Sequence, residues 1–163
     1  MFNDIIKVIG EKDKYLASLV ESVDKMLLVD SCTVILKARI IGERVVRNII
    51  LAEGITGTVE MNQKEKISLL EGQEFLSYDV AKDFQSLRFF GNRVIHDEIE
   101  NVFETSLMVN RILYRILSWY IIVYVSCDFE ACRYIEPDII GMISDAERKV
   151  SEAVNLVLGK AYV

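Results

Sequence analysis

Asp30-Ser31-Cys32-Thr33-Val34-Ile35-Leu36-Lys37-Ala38-Arg39-Ile40-Ile41-Gly42-Glu43-Arg44-Val45-Val46-Arg47-Asn48-Ile49-Ile50-Leu51-Ala52-Glu53-Gly54 sets the class of the whole chain. Within it Ile35, Ala38, Ile41, Val45, Ile49 and Ala52 recur at steps of three and four, the spacing of one helix face turned toward a core. Asp30 and Ser31 supply an N-cap, because a short oxygen-bearing side chain can accept from the free N–H groups of the first turn. Gly54 is suited to the stop. A glycine inside a helix costs roughly 1 kcal/mol relative to alanine. Gly42 therefore predicts a place where a second helix approaches closely.

The same periodicity extends outward in both directions. Before this helix come Ile5, Ile9, Tyr15, Leu16, Leu19, Val20, Val23 and Leu27, with Gly10 as a break. After it, residues 54–61 form a connector with room for a short extended piece. Asn62 caps a short helix through Glu71 that ends at Gly72. Ser77 starts a helix running to Gly91, with Val80, Ala81, Phe84 and Leu87 inward. A long helix over about 99–126 buries Val102, Leu113, Ile116, Leu117, Tyr120 and Val123. A loop from Cys127 to Glu136 leads to Pro137, which suits the first turn of a last helix over about 137–158. That helix carries Ile139, Ile143, Ala146, Val150, Ala153, Val154 and Val157. No strand alternation appears. The expectation is one all-α domain over 1–163, a helical bundle with two long antiparallel helices at its centre.

Composition narrows the function. The chain has 163 residues, 52% hydrophobic and 27% charged, with one proline, which is the balance of a globular domain with a core. A net charge of −6 does not attract nucleic acid through the overall field. Two local basic groups, Arg39 with Arg44 and Arg47, and Arg88 with Arg93, read as solvated faces and internal ion pairs. Cys32, Cys127 and Cys132 have no CxxC spacing and only one histidine accompanies them, so neither a zinc site nor a disulfide scaffold is expected. They read as buried or inert thiols of a reducing cytoplasm, with Cys127 and Cys132 close enough in sequence for a disulfide. No metal or organic cofactor is expected. The N-terminus lacks the features of a signal peptide. Ile112–Val125 is apolar but short for a bilayer and contains Arg115, so it reads as a buried core helix of a soluble protein without a membrane partner.

The residues that carry chemistry gather in Arg88-Phe89-Phe90-Gly91-Asn92-Arg93-Val94-Ile95-His96-Asp97, which holds the only histidine. Histidine titrates near neutrality, so proton transfer here would run through His96. On one helix Asn92 and His96 share a face, being four apart; alternatively Asn92 caps a new turn after Gly91. Glu43 needs a partner if buried, and Arg39 lies four residues before it. The expectation is a polar knot of Arg39, Glu43, Arg88, Asn92 and His96 between two helices. It reads first as an ion-pair network that fixes register, and second as a phosphate pocket with His96 in reach. Trp119, Tyr120 and Tyr124 read as core packing rather than base-stacking platforms. Because 112–125 is apolar nearly all round, a strip should stay exposed on a monomer, where a homodimer interface would cover it.

Four segments in order, Lys37–Val46, Lys66–Leu70, Leu87–Asp97 and Leu117–Tyr120, carry a resemblance. Together they resemble a helical domain of unknown function found at the N-terminus of type I restriction endonuclease subunits and related helicases. That domain is itself similar to the HEPN superfamily of small helical nucleases and nucleotidyltransferase partners. The shared patterns are Ala-Arg-x-x-x-Glu, here Ala38, Arg39 and Glu43, and Arg-x-x-Gly-Asn-x-x-x-His, here Arg88, Gly91, Asn92 and His96. The resemblance spans roughly 30–125 and implies a HEPN-like bundle. HEPN ribonucleases carry Arg-x(4–6)-His, with a polar residue after the arginine. Here seven residues separate Arg88 from His96, only two separate Arg93 from His96, and Phe89 follows Arg88.

The resemblance therefore implies, first, a non-catalytic interaction module of a prokaryotic or phage-related defence or restriction system. Such a module would be homodimeric with a protein partner, and would have an optional nucleic-acid contact through Arg88 and Arg93. The alternative is a metal-independent ribonuclease with His96 as acid/base, Arg88 or Arg93 on the phosphate and Asn92 orienting. A further alternative is a helical partner that neutralises a toxin or nucleotidyltransferase.

Overall fold

The computed structural model describes residues 2–161, except for the side chains of residues 142, 146 and 158–161. It is 73% helical, and the described residues contain no strand. The all-α class is thus as the periodicity predicts. In chain order the helices are α1 (Asn3–Gly10), α2 (Lys14–Met26), α3 (Ser31–Ala52), α4 (Gln63–Gly72), α5 (Tyr78–Ile95), α6 (Val102–Tyr120) and α7 (Ile139–Ala161). A π-helical turn, Ile121–Val125, prolongs α6.

α3 is the axis of the fold, packed against α2, α4, α5 and α6. Cross-helix pairs give the directions. Ser22 and Asp13 of the α2 region meet Lys37 and Arg44 of α3, so those helices run antiparallel. Leu87 lies against Gly42, and Gly91 against Arg39, so α5 is also antiparallel to α3. Two long antiparallel helices at the centre, α3 and α5, are therefore present. Val34, Ile35, Ala38, Ile41, Val45, Val46 and Ile49 are fully buried along α3. Burying each large aliphatic side chain contributes about 1.5–3 kcal/mol, so this stripe outweighs the weak intrinsic helix preference of its β-branched residues.

Local signals set most boundaries. Asp13, Asp30, Asn62 and Ser77 each accept an N–H in the first turn of their helices, and Asn62 with Glu65 forms a reciprocal capping box. The first segment is two helices with the break at Gly10, because Asp13 opens a new one just after it. Three boundaries differ from expectation. α5 passes through Gly91 and ends at Ile95, since Gly91 is a contact point rather than a stop. The long helix begins at Val102, and the i→i+5 bond of Ser126 N–H to Ile121 O closes it with a π turn. α7 begins at Ile139, beyond Pro137, with Asp138 Oδ1 accepting from Gly141 N–H at 3.0 Å. Residues 54–61 form turns and bends with no extended piece.

α6 is the core helix foreseen at 112–125, with Val109, Leu113 and Leu117 fully buried. The stretch Val102–Val125, of which Ile112–Val125 is the C-terminal part, is long and apolar enough to cross a membrane by length and composition. It packs inside the fold instead, with 56% of its most apolar window buried. Trp119 meets Phe84 edge-on at 6.4 Å and Tyr124 stacks on Tyr120 at 5.8 Å, so these aromatics pack against one another and the core. Ile122 and Val123 remain exposed, which leaves the strip expected along this helix and corrects the expected burial of Val123. Tyr15 and Ala52 also lie outside the core.

α7 is present as the last helix. Its apolar residues follow helical spacing, and Ile143, Val150, Val154 and Val157 are exposed. Ala146, on the same helix, lies outside the described side chains. Helical spacing marks an apolar face, but it carries no information about which surface meets that face. The cysteines are also corrected: Cys32, Cys127 and Cys132 are all free and exposed, not buried.

Candidate functional site

The conjunction of α3 and α5 begins with a missing side chain. A Cβ on Gly91 would stand 2.5 Å from Arg39 Cδ and 2.7 Å from Arg39 Cβ, well inside normal carbon contact. Only glycine lets α5 lie this close. The approach brings Arg39 within reach of Asn92, and Arg39 Nη1 donates to Asn92 Oδ1 at 2.7 Å. Arg39 Nε donates to Glu43 Oε1 at 2.8 Å, four residues along α3. The side chains of Arg39 and Glu43 are 27% and 39% exposed, so this pair is screened and its contribution is a few tenths of a kcal/mol. Its effect is geometric: a planar guanidinium held by two acceptors fixes the register of α5 on α3.

Three of the five expected members thus meet: Arg39, Glu43 and Asn92. Arg88 does not join them, because its Nε donates to Gln85 Oε1 at 2.9 Å on its own helix. His96 does not join them either. It is the exposed C-terminal cap of α5, and no hydrogen bond or ion pair of its imidazole exists among the described residues. Arg93 turns to the following loop, where its Nη2 donates to Glu98 O at 2.7 Å and its guanidinium lies 5.4 Å from the Phe89 ring centre.

The chain reverses just after His96. Glu98 N–H donates back to Arg93 O at 3.0 Å, and Asp97 takes φ +54°. This is the left-handed helix end that glycine usually supplies and that aspartate tolerates better than most residues. Asn92 and His96 therefore lie near one helix end without a shared contact, and the second possibility, Asn92 as a cap after Gly91, does not occur.

A second polar centre, at the α2–α3 contact, was not foreseen. Asp13 accepts from Arg44 Nε at 2.8 Å, Arg44 Nη2 at 2.9 Å, Asn48 Nδ2 at 3.3 Å and Leu16 N–H at 2.9 Å. Burial alone would raise the Asp13 carboxyl. The Arg44 fork, the Leu16 amide, the Asn48 amide and the Arg44 charge outweigh it and hold the carboxyl below its usual value. Arg44 also lies 4.9 Å from the Tyr15 ring centre, and Asn48 Nδ2 reaches Tyr120 Oη at 3.3 Å. The signal in the sequence was limited to Arg44 as one member of a basic group. Nothing local tied it to an aspartate 31 residues earlier.

Chemically, the Arg39 centre offers no uncommitted cation, and the Asp13 centre is a closed ion pair. Among the described residues no group of three His, Cys, Asp or Glu side chains is placed to hold a metal ion. No protein-family model, curated protein or solved structure matches this chain.

Proposed function

We propose that this chain is a non-catalytic helical interaction module that forms a homodimer through α7. In this reading it belongs to a prokaryotic or phage-related defence or restriction system of the HEPN-like class that its Arg39–Glu43 and Arg88–His96 motifs resemble. The observation that carries the reading is the exposed apolar face of α7. Ile143, Val150 and Val157 repeat every seven residues and are 47%, 63% and 67% exposed. A seven-residue apolar repeat is the seam along which helices associate side by side. Ile143 and Val150 line an open cleft of about 440 Å³ with Leu28.

A second copy is the favoured occupant on grounds of self-complementarity. Ile143, Val150, Val154 and Val157 follow one another at steps of seven, four and three, so they share one helix face that the same face of a second copy can cover. Ile122 and Val123 would supply further apolar surface. Three exposed free thiols fit a reducing cytoplasm better than an oxidising compartment.

The ribonuclease reading has less support. The arginines it needs are engaged, Arg88 by Gln85 and Arg93 by Glu98, and His96 has no positioning partner among the described residues. A general acid or base usually needs such a partner to hold its tautomer and direction. The same engagements leave little for a nucleic-acid contact through Arg88 and Arg93.

The test is sedimentation equilibrium of the wild type and of Val150→Asp, with circular dichroism to check that helix content is retained. The wild type should be a dimer and the variant a folded monomer. A monomeric wild type, or a dimer indifferent to Val150→Asp, would refute dimerisation through α7.

A further inference from the structure

α3 has a second working face. Away from its buried stripe, Ile40 and the residues three, four, seven and eleven positions on from it, Glu43, Arg44, Arg47 and Leu51, form one wall of a cleft of about 690 Å³. The other wall is the 54–61 loop with Gln63 and Lys66 of α4. The volume lies within the range of small-molecule sites, roughly 300–1,000 Å³. Ile50, Ile55 and Val59 make the lining largely apolar.

The charges in this cleft are not balanced. Arg44 is committed to Asp13, and Glu43 to Arg39. The other helical arginines all hold acceptors: Arg88 with Gln85, Arg93 with Glu98, Arg111 with Glu136, Arg115 with Asp83 and Arg148 with Asp145 and Glu152. Arg47 is the exception among the helical arginines, with no hydrogen bond or ion pair among the described residues. Lys66, half-buried on the facing wall, is likewise without a partner among them. Thr56, Gly57 and Thr58 line the same cleft, and their backbone N–H groups meet no protein acceptor, whereas those of Gly54, Ile55 and Met61 do. Two cations and three loop amides without a partner among the described residues thus belong to residues that line one largely apolar cleft.

We infer that this cleft binds a small organic anion, with a phosphate or carboxylate head on Arg47 and Lys66 and an apolar or aromatic body against Ile40, Ile55 and Val59. The guanidinium fork of Arg47 matches the two oxygens of either head group, and Lys66 adds a point charge. A small ligand fits better than a polyanion, because the protein as a whole carries −6 and repels an extended chain of phosphates.

The test uses anilinonaphthalenesulfonate, a fluorescent organic anion with an aromatic body, titrated into wild type, Arg47→Ala, Lys66→Ala and the double variant. Both residues lie outside the core, so these chains should fold, and circular dichroism checks it. Wild type should show one saturable component that weakens as salt rises. Each single variant should weaken it about tenfold, as expected for loss of a charge-assisted hydrogen bond. Adenosine monophosphate and octanoate then compete. Displacement by the first identifies a phosphate head, displacement by the second a carboxylate, and either supports the site. Equal binding by wild type and the double variant would overturn the inference, because the probe would then be resting on exposed apolar surface such as α7. Absence of saturable binding by the probe and both competitors would overturn it as well.

Discussion

Replacing Gly91 by alanine tests the α3–α5 contact most directly. The added methyl would meet Arg39 Cδ at 2.5 Å, Cβ at 2.7 Å and Cγ at 3.0 Å. Cδ can swing away only by giving up the bonds to Glu43 and Asn92, and Cβ is fixed to the α3 backbone. The helices must therefore separate to restore normal contact near 3.5–4.0 Å. Overpacking of this kind costs about 1–3 kcal/mol, and loss of the Arg39–Asn92 bond adds about 1 kcal/mol. Alanine's better helix propensity offsets about 1 kcal/mol. The net expectation is destabilisation of about 1–3 kcal/mol, a fall in Tm of roughly 2–4 °C per kcal/mol for a chain of this size.

Urea and thermal denaturation followed by circular dichroism measure it, with two internal comparisons. Gly42→Ala meets only the Leu87 Cδ1 tip at 3.3 Å, a flexible side-chain end, so it should cost less. Gly72→Ala has nothing within 4 Å and should be neutral or stabilising by up to about 1 kcal/mol. Adding Arg39→Ala to Gly91→Ala removes Cγ and Cδ from the clash, so the two changes should cost less together than the sum of each alone. A Gly91→Ala protein as stable as wild type, or an order in which Gly72→Ala is the worst of the three, would refute the close-approach argument.

Two titrations test the Asp13–Arg44 and Tyr124–Glu53 contacts. The Asp13 carboxyl is depressed in the folded state, so the unfolded chain takes up its proton first as pH falls. Its stabilisation is fully present above the unfolded value near 3.8 and is lost as pH falls through the depressed folded value. Asp13→Asn should therefore lower Tm at neutral pH, with the gap to wild type closing in acid; a gap constant with pH would contradict the Arg44 pairing.

Tyr124 donates to Glu53 Oε1 at 2.9 Å, and burial, that bond and the Glu53 charge push its phenol up to about 12. Its contribution to stability is present below pH 10 and is lost as pH rises toward 12. The tyrosinate absorbance difference between wild type and Tyr124→Phe should report this late ionisation, and Glu53→Gln should bring it earlier. Ionisation of Tyr124 near pH 10 in the native protein would show that the contact does not form in solution.

Much of the fold was legible because helices are local objects. The stripe from Ile35 to Ile49 identifies α3, Asn62 and Ser77 announce the starts of α4 and α5, and Gly42 announces a close neighbour, which proves to be Leu87. Gly91 was misread because a glycine that ends a helix and a glycine that admits a neighbour are identical within one segment. The distinction lies in Arg39, on a different helix. The candidate site was half legible for the same reason. Arg39 and Glu43 pair within one helix at a spacing that can be read directly, whereas Arg88 and His96 are directed by the twist of α5 and by the reversal at Asp97.

Sequence alone therefore determined the all-helical class, most helix starts and the stripe that fills the core, because hydrogen bonding within a helix and capping act over three or four residues. Tertiary structure alone decided which apolar side chains stay exposed, which helical arginine lacks a partner among the described residues and which polar groups meet. Those outcomes depend on surfaces brought together from distant parts of the chain: Asp13 against Arg44, Arg39 against Gly91, and Ile143, Val150 and Val157 of α7 left exposed. No local rule of spacing encodes which distant surface will be met.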